Sequence, residues 1–563
     1  MRIRQIAAFA SIFIVITALL TGCGGLQEQN VSKEVSKEKG NSNAYEKIHS
    51  ILKDSEFYFL DECEMLDPYY EMAAERKKAI LNSPTEIVKA DEFIPGETYT
   101  GTAYYISPHG NNENDGLSPE TPWQTADRTN WGDVQDGDAV FFERGGVYRL
   151  TQESVKLISN VTYSAYGNGT KPIITLAQEN SARAKCWELY YEGTNGEKIW
   201  RYYRSLGDVG GIVFDDESYA KRILEWPTPE GWLALDMSKM DPVNGTYADG
   251  DPYSMWDLVS TGEYRTVEEN LTEDLSYICR VDLSDLTYPV DFGLEFREGD
   301  LFLRCDTGNP GELFSDIEII ALYQDAFGNT QASLMDGYDA DGFVLDNLSL
   351  KYYMDHAVFS LPTHGNGAVI QNCTIEWGGN RLHQIESSTP TNQACVIGDS
   401  IYNVAYNATI RNNYMCHSAN GCTFESSEEF AENMGTYMAS GNLMENCAQG
   451  IRTYLYNADE INRFDELILQ DNIILNSGTG MNNGNFVNAC AIELGDTDYQ
   501  FAKRIEIFGN VMIGSTQAMM RFPDGSRFNM DIHGNIFVQS KDGELLLECH
   551  SDKLVWYMMS DAK

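Results

Sequence analysis

Basic residues are scarce in this chain relative to acidic ones. The 563 residues include 40 Lys and Arg against 85 Asp and Glu, which gives a formal net charge of −45. A field of that sign repels phosphate groups and anionic lipid headgroups. The composition therefore excludes nucleic acid as a partner and excludes electrostatic binding to an anionic membrane surface.

The cysteines do not form a recognisable metal signature. The sequence holds 12 cysteines and 8 histidines, yet it contains no CxxC pair and no cysteine–histidine spacing typical of a zinc site. Several cysteines lie in short apolar runs, such as Cys373 and Cys490. We therefore expect mostly buried free thiols that pack as small apolar side chains, and no metal cluster. Whether one or two disulfides also form is left open by the sequence.

Long apolar runs are absent after the N-terminus. Arg2 and Arg4 precede a fifteen-residue apolar run at 6–20, and Cys23 follows in a Leu-Thr-Gly-Cys lipobox. Fifteen residues fall short of the roughly 20 that span a bilayer as a helix. The sequence predicts a cleaved signal peptide, lipidation at Cys23, and a body anchored at the extracellular face of the membrane or in the periplasm.

The composition changes along the chain and predicts seven segments. Residues 27–47 are too polar to bury a core, residues 45–81 carry apolar positions at helical spacing that suggest a helical pair, and residues 180–335 are rich in Trp, Tyr and Asp with scattered strand-like runs. The predicted segments are a signal peptide (1–22), a flexible tether (23–47), a short N-terminal helical segment (48–100), first coils and cap (101–179), a β-rich insertion (180–335), a repeat core (336–540) and a C-terminal cap (541–563).

One six-residue motif recurs after Asp341. Its first and sixth positions are apolar, its third is small or polar, its fourth is usually Asn, and its second and fifth are variable. It occurs at 345–350, 370–375, 410–415, 439–444, 469–474, 507–512 and 532–537. The intervals of 25 to 40 residues indicate one supersecondary unit per repeat. The runs are too short for helical repeats and are bounded by Asn and Gly, which is typical of strands.

These repeats predict an all-β fold, a right-handed parallel β-helix that forms a single-stranded solenoid. Strands of successive coils would pair about 4.8 Å apart, so equivalent side chains would stack. We expect a ladder at a bend, formed by Asn413, Asn442, Asn472, Asn510 and Asn535, because Asn tolerates left-handed backbone angles and its amide can bond its neighbour's amide. The Gly or Asp that precedes most of them would support the turn.

Three stretches carry a resemblance to a known family. They are Tyr-Tyr-Ile-Ser-Pro-His-Gly-Asn at 104–111, Gly-Asp-Ala-Val-Phe-Phe-Glu-Arg-Gly-Gly at 137–146, and Val-Thr-Tyr-Ser-Ala-Tyr-Gly at 161–167. They resemble the opening of pectate-lyase-like right-handed parallel β-helix proteins, a superfamily of secreted polysaccharide lyases and β-helical glycoside hydrolases. The resemblance covers roughly residues 70–540 and implies action on polysaccharide. In relatives, a Glu often stands where this chain has Arg452.

Candidate site residues follow from the chemistry that the resemblance implies. A glycosidase needs two carboxyl groups that flank the sugar bond, and here they would come from successive coils. The candidate catalytic acids are Glu376, Asp399, Glu425 and Glu493, and the candidate sugar-binding residues are His356, Trp377, His383, His417, Arg452 and Tyr454.

Three functions remain open from the sequence. We favour glycoside hydrolysis of a neutral or branched extracellular polysaccharide, because the negative chain would repel a polyanionic one. The alternatives are a Ca²⁺-dependent polysaccharide lyase using Arg452 or Arg411, and a non-catalytic glycan-binding or adhesion protein. We expect a monomer that contacts the membrane only through its lipid. We expect no required cofactor, and the sequence leaves open whether Ca²⁺ binds.

Overall fold

The fold was analysed in a computed structural model. It describes residues 52, 54–60, 66–150, 153–223, 225–228, 231–234, 240–241, 246–247, 262–281, 298–324, 330–331, 333–361, 367–379, 381–382, 395–396, 399–404, 407–426, 435–455, 464–481, 489–494, 502–523, 530–539, 545–550 and 555–558. The predicted signal peptide, Cys23 and the tether lie outside these residues. No helix among the described residues has the length and apolar character to cross a bilayer.

The described residues of the N-terminal part form one α-helix and nine short strands. They are β1 (Glu56–Phe59), α1 (Asp67–Leu81), β2 (Val88–Lys89), β3 (Thr98–Tyr99), β4 (Ala103–Ile106), β5 (Ala139–Glu143), β6 (Val147–Arg149), β7 (Val155–Lys156), β8 (Thr162–Tyr166) and β9 (Ile173–Thr175), with a 3₁₀ helix at Ala126–Trp131. The second helix predicted before α1 is not found at Glu56–Phe59, which is a strand.

The insertion is β-rich, as the composition predicts. Its strands are β10 (Trp187–Glu192), β11 (Lys198–Tyr202), β12 (Val209–Phe214), β13 (Ser218–Tyr219), β14 (Lys221–Arg222), β15 (Glu225–Thr228), β16 (Gly231–Ala234), β17 (Met240–Asp241), β18 (Thr246–Tyr247), β19 (Glu263–Tyr264), β20 (Ser276–Val281), β21 (Gly299–Arg304), β22 (Ile317–Ala321), β23 (Tyr323–Gln324) and β24 (Thr330–Gln331). Its described residues also form two one-turn helices, α2 (Val267–Asn270) and α3 (Pro310–Leu313), and a 3₁₀ turn at Ala184–Cys186. Almost all of its strand pairs are antiparallel.

The repeat core follows as a regular series of strands. They are β25 (Met335–Tyr338), β26 (Val344–Asp346), β27 (Ser349–Tyr353), β28 (His356–Leu361), β29 (Val369–Gln371), β30 (Thr374–Gly378), β31 (Arg381–Leu382), β32 (Cys395–Val396), β33 (Asp399–Val404), β34 (Ala408–Arg411), β35 (Tyr414–Cys416), β36 (Asn420–Ser426), β37 (Thr436–Ser440), β38 (Leu443–Glu445), β39 (Gln449–Leu455), β40 (Phe464–Gln470), β41 (Ile473–Ser477), β42 (Cys490–Leu494), β43 (Ala502–Phe508), β44 (Val511–Ser515), β45 (Ala518–Pro523), β46 (Met530–His533), β47 (Ile536–Gln539), β48 (Leu545–His550) and β49 (Val555–Met558).

Three ten-stranded sheets wind around one core, as a parallel β-helix requires. Sheet 1 runs β1-β47-β44-β41-β38-β35-β30-β27-β9-β6, sheet 2 runs β4-β5-β8-β26-β29-β34-β37-β40-β43-β46, and sheet 3 runs β49-β48-β45-β42-β39-β36-β33-β28-β25-β7. All of these pairs are parallel except β48–β49. Each coil visits sheet 2, sheet 1 and sheet 3 in turn, and the fold is the predicted right-handed parallel β-helix with a β-rich insertion.

The first and last positions of every repeat motif point into the core. The first positions stack on sheet 2 and the last on sheet 1, and all are essentially inaccessible to solvent: Leu345, Ile370, Ile410, Ala439, Leu469, Ile507 and Ile532 with Leu350, Ile375, Met415, Met444, Ile474, Met512 and Phe537. Burial of this column supplies the main hydrophobic stabilisation of the solenoid.

The predicted asparagine ladder is present. The side-chain amide of Asn413 donates to the Asn442 side chain at 3.1 Å, and the series continues through Asn472, Asn510 and Asn535 at 3.0, 2.9 and 2.9 Å. The ladder asparagines are fully buried. The left-handed backbone angle belongs to the residue before each of them, for example Gly441 at φ 65° and Asp471 at φ 53°.

Eight cysteines whose side chains the structure describes are free thiols. Of these, Cys279 is partly buried and the others are buried, namely Cys186, Cys305, Cys373, Cys416, Cys422, Cys447 and Cys490. Burial raises the pKa of the Cys447 thiol to about 11, so it stays protonated. Among the described residues these thiols act as small core side chains, as the sequence predicts.

Candidate functional site

The outer face of sheet 3 brings two predicted site residues, Arg452 and Glu493, into register with two residues that were not predicted. Tyr402, Thr423, Arg452 and Glu493 are paired partners on the consecutive strands β33, β36, β39 and β42. The residue that precedes each of them in the sequence faces the core: Ile401, Cys422, Ile451 and Ile492. Because side chains alternate along a strand, this row faces away from the core. We call these four residues the sheet 3 row.

An aromatic stack lies at one end of the row. The His356 ring stacks on Tyr402 with centroids 4.6 Å apart, and Phe359 stacks on Tyr402 at 5.7 Å with ring planes 7° apart. His356 also stacks on Phe359 at 5.9 Å. Flat rings of this kind offer an apolar surface of the type on which a sugar ring can rest.

Asp399 lies next to this stack and is held by two donors. It pairs with His356 in the β28–β33 register, and its carboxylate accepts hydrogen bonds from Asn420 Nδ2 at 2.7 Å and Thr423 Oγ1 at 3.0 Å. The residue is 4% exposed. These bonds fix the orientation of the carboxylate.

Glu493 lies at the other end of the row. Gln449 Nε2 donates to Glu493 Oε2 at 2.7 Å, and Arg452 Nε lies 3.4 Å from the same oxygen. Arg521 follows Glu493 in the register of the next strand and is 1% exposed. Glu493 thus sits between two guanidinium-bearing neighbours, which compensate the cost of burying its charge.

Glu376 lies on a different sheet and makes a different set of contacts. It is on β30 in sheet 1, where Lys351 Nζ lies 3.2 Å from Glu376 Oε1 and 2.5 Å from Asp216 Oδ2 of the insertion. Burial lowers the pKa of the Lys351 amine, but the two carboxylates outweigh it and hold that pKa above its usual value. The structure does not bring Glu376 into the sheet 3 row.

Trp377 and His417 form the corner between sheets 1 and 3. Their rings stack with centroids 4.1 Å apart, and Trp377 Nε1 donates to Asp216 Oδ1 at 2.6 Å. Both have left-handed backbone angles, φ 65° and 55°. Burial and nearby Lys77 lower the pKa of His417 to about 4, so it is neutral at pH 7. These two residues join the insertion to the solenoid.

Some predicted residues lie wholly or partly outside the described part of the chain. His383 and Cys23 are outside it, and so are the side chains of Glu425 and Tyr454. The backbone nevertheless places Glu425 on β36, two residues after Thr423, and pairs it with Tyr454 of β39.

Sequence reasoning missed several residues around the sheet 3 row and around the Lys351–Glu376 ion pair. Phe359, Tyr402 and Thr423 belong to the sheet 3 row or its aromatic stack, and stepping from the repeat motif into the next strand could have found them. The contact between Asp216 and Lys351 could not have been found that way, because Asp216 lies on the insertion, 135 residues before Lys351 in the sequence. Within the described residues, no group of three or more His, Cys, Asp or Glu could hold a metal ion.

Comparison with known proteins adds limited information. No family model matches the chain. A lacto-N-biosidase of Bifidobacterium longum subsp. longum is 31% identical over 133 residues, which cover 22% of this chain and 8% of that protein. The chain therefore spans a small fraction of the curated relative that it matches.

Solved structures of similar fold are distant. XylC, solved with xylose, has a TM-score of 0.34 at 12% identity and covers 78% of this chain and 70% of its own. A GH136 lacto-N-biosidase from Eubacterium ramulus has a TM-score of 0.25 at 11% identity, with 86% and 70% covered. A rhamnogalacturonan lyase has a TM-score of 0.29 at 10% identity, with 79% and 75% covered.

The fold assignment rests on the molecule's own architecture. Three parallel sheets, a continuous core column and an asparagine ladder repeat coil after coil. By these features the chain is a right-handed parallel β-helix repeat protein.

Proposed function

We propose that this protein hydrolyses glycosidic bonds of an extracellular polysaccharide on the outer face of sheet 3. The observation that carries the proposal is the sheet 3 row, where an aromatic stack, a hydrogen-bonded carboxylate and the Arg452–Glu493 pair follow one another on consecutive strands. The 133-residue similarity to a lacto-N-biosidase, whose name denotes a glycosidase, supports hydrolysis.

The strand register narrows the choice of the catalytic pair. Asp399 and Glu493 lie on β33 and β42, which are three strands apart in sheet 3. At about 4.8 Å per strand the separation across the sheet alone is roughly 14 Å. Their backbones therefore lie farther apart than the about 5–9.5 Å that separates glycosidase carboxyl groups, although hydrogen bonds draw the Asp399 carboxylate onto β36 and the Glu493 carboxylate onto β39.

Glu425 and Glu493 fit better. Glu425 is on β36 and Glu493 is on β42, two strands apart. In the strand register Thr423 aligns with Arg452 and Arg452 with Glu493, so Glu425 lies two residues beyond the position that aligns with Glu493. This places their Cα atoms roughly 12 Å apart. In this arrangement one glutamate protonates the leaving oxygen and the other activates water or attacks the sugar, with β39 between them.

The remaining residues then have positioning roles. The ring stack of His356, Phe359 and Tyr402 would hold a sugar next to the bond that is cleaved, and Asp399 would accept hydrogen bonds from its hydroxyl groups. Arg452 would orient the Glu493 carboxylate through their ion pair. Glu376, in its ion pair on sheet 1, takes no part in this proposal.

A glycan panel tests the reaction class. The purified lipid-free chain, residues 24–563, would be assayed for new reducing ends, for ultraviolet absorbance from a new double bond, and for retention in glycan-containing gels. Hydrolysis yields reducing ends without absorbance and is expected. Absorbance that disappears with a chelator would establish the Ca²⁺-dependent lyase instead, and retention without any product would establish a binding protein.

We also propose that the protein is a lipoprotein held at the cell surface or in the periplasm through Cys23. The lipobox and the polar tether support this location. Metabolic labelling with a fatty acid should mark the wild-type chain and leave Cys23→Ala unlabelled in the soluble fraction. Equal labelling of both would contradict the proposal.

A further inference from the structure

A second aromatic surface lies far along the fold from the sheet 3 row. On the outer face of sheet 2, in the first coils, four rings make a continuous run. Tyr99 contacts Phe141 at 5.9 Å, Phe141 contacts Tyr105 at 5.8 Å, and Tyr105 contacts Tyr166 at 5.1 Å between ring centroids. The run uses β3, β4, β5 and β8 and contains no residue of the sheet 3 row.

This aromatic run forms the floor of a cavity. The cavity has a volume of about 850 Å³ and lies between the first coils and the segment that follows α1. Tyr105, Phe141 and Tyr166 line one side, and residues 82–88 line the other. Its volume falls within the range of about 300–1,000 Å³ that is usual for small-ligand sites.

The walls offer neutral polar groups beside the rings. Asn82 and the exposed Asn168 carry carboxamides with both donors and acceptors. Burial, with nearby Glu143, raises the pKa of Tyr166 to about 12, so its hydroxyl stays protonated and can donate a hydrogen bond. Aromatic faces flanked by amides and hydroxyls match a sugar ring, which presents apolar C–H faces and a rim of hydroxyls.

The charges at the cavity disfavour an anionic ligand. Its one lining cation, Arg144, already donates to the Ser83 carbonyl and the Thr85 hydroxyl, both at 3.1 Å. Glu86 is exposed in the opposite wall. Together with the chain's net charge of −45, this leaves no positive field to attract a uronate or a phosphate.

The segment over the cavity is anchored to the solenoid, so the cavity is preformed. Lys171 Nζ donates to Ser83 Oγ at 2.8 Å, and Asn347 Nδ2 donates to the Pro84 carbonyl at 2.7 Å. A preformed site loses little conformational entropy when a ligand binds.

From this geometry we infer that the cavity between residues 82–88 and the rings of Tyr105, Phe141 and Tyr166 is a second, non-catalytic binding site for a neutral oligosaccharide. The choice of a glycan as ligand rests in part on the proposed function. The site would hold a long substrate on the first coils while the sheet 3 row processes another part of it.

Glycan affinity electrophoresis tests the inference without relying on catalysis. The full chain would be run in gels with neutral polysaccharides, with the Glu493→Gln variant as background so that no substrate is consumed. Tyr166→Ala and Asn168→Ala should each reduce retardation at least several-fold. Tyr203→Ala, which removes an exposed tyrosine outside the cavity, is the matched control and should change nothing.

The outcomes separate the two proposals. In the catalytically competent background, Asn168→Ala should leave turnover of a short soluble substrate unchanged and raise KM for a long polymer only. Asn168 is exposed in a turn and tests the site even if Tyr166→Ala destabilises the coil. Unchanged retardation of Asn168→Ala and of folded Tyr166→Ala would overturn the second site, whereas lack of hydrolysis with intact retardation would overturn only the proposed reaction.

Discussion

The indole of Trp377 and the imidazole of His417 lie face to face, with ring centroids 4.1 Å apart and planes 4° apart. They occupy equivalent corner positions on successive coils, where Asn446 and Asn476 follow, all with left-handed backbone angles. Tyr219 of the insertion packs edge-on against His417 at 5.6 Å. The corner therefore couples the stability of the insertion contact to the protonation of one histidine.

This coupling predicts a pH dependence of unfolding. Burial lowers the pKa of His417 from 6.5 to about 4, so the unfolded chain binds a proton that the folded chain does not. The free energy of unfolding should therefore fall as the pH drops from about 6.5 to about 4. In His417→Asn, which matches Asn446 in the same column, urea titrations at several pH values should show a shallower fall. If the free energy of unfolding of His417→Asn fell with pH as steeply as that of the wild type, His417 would not be the source of the pH dependence.

The asparagine ladder predicts a large local contribution to stability. In Asn442→Ala, the amide of Asn413 loses its acceptor and the carbonyl of Ile410 loses a donor. Each buried group left unsatisfied costs on the order of 1–3 kcal/mol, and equilibrium urea unfolding should show that loss. Gln470→Ala, a half-exposed carboxamide on a neighbouring coil, is the control and should have little effect. Equal losses in both variants would mean that the ladder adds nothing specific.

The buried pair on sheet 1 predicts non-additive effects. Lys351 and Glu376 have side chains only 10% and 14% exposed. Lys351→Met leaves the glutamate without its cation and should lower the free energy of unfolding by about 3–5 kcal/mol. The double variant Lys351→Met/Glu376→Leu should recover most of that loss. Additive losses in the double variant would contradict a coupled pair.

An exposed pair provides the matched comparison. Lys221 and Glu273 lie 2.8 Å apart with side chains 59% and 58% exposed. Solvent and salt screen such a pair, so Lys221→Met should leave the unfolding midpoint essentially unchanged. A loss as large as that of Lys351→Met would mean that burial is not the cause.

The strand register predicts which carboxylates carry hydrolysis. Glu425→Gln and Glu493→Gln should each lower kcat by about 10²–10⁴-fold, the usual contribution of a general acid or base. Asp399→Asn should chiefly raise KM, and Glu376→Gln should leave kcat unchanged. Thermal unfolding of each variant would check that the fold is intact. Loss of kcat in Glu376→Gln with full activity in Glu425→Gln would move the site to sheet 1.

Local patterns alone determined the solenoid. Each repeat motif places two apolar side chains in the core, and five of the seven place an amide at a bend. These preferences act within a few residues, so the fold and the Asn442–Asn472 ladder could be read from the sequence. The succession of repeats also placed Arg452 and Glu493 on neighbouring coils, where the structure pairs them.

Only the tertiary structure decided which distant residues meet. The sequence held no signal that Asp216 of the insertion would bind Lys351 and Trp377, which moved Glu376 and Trp377 out of the candidate sugar site. Contacts between coils depend on the register of stacking, and that register is fixed by the packed core as a whole.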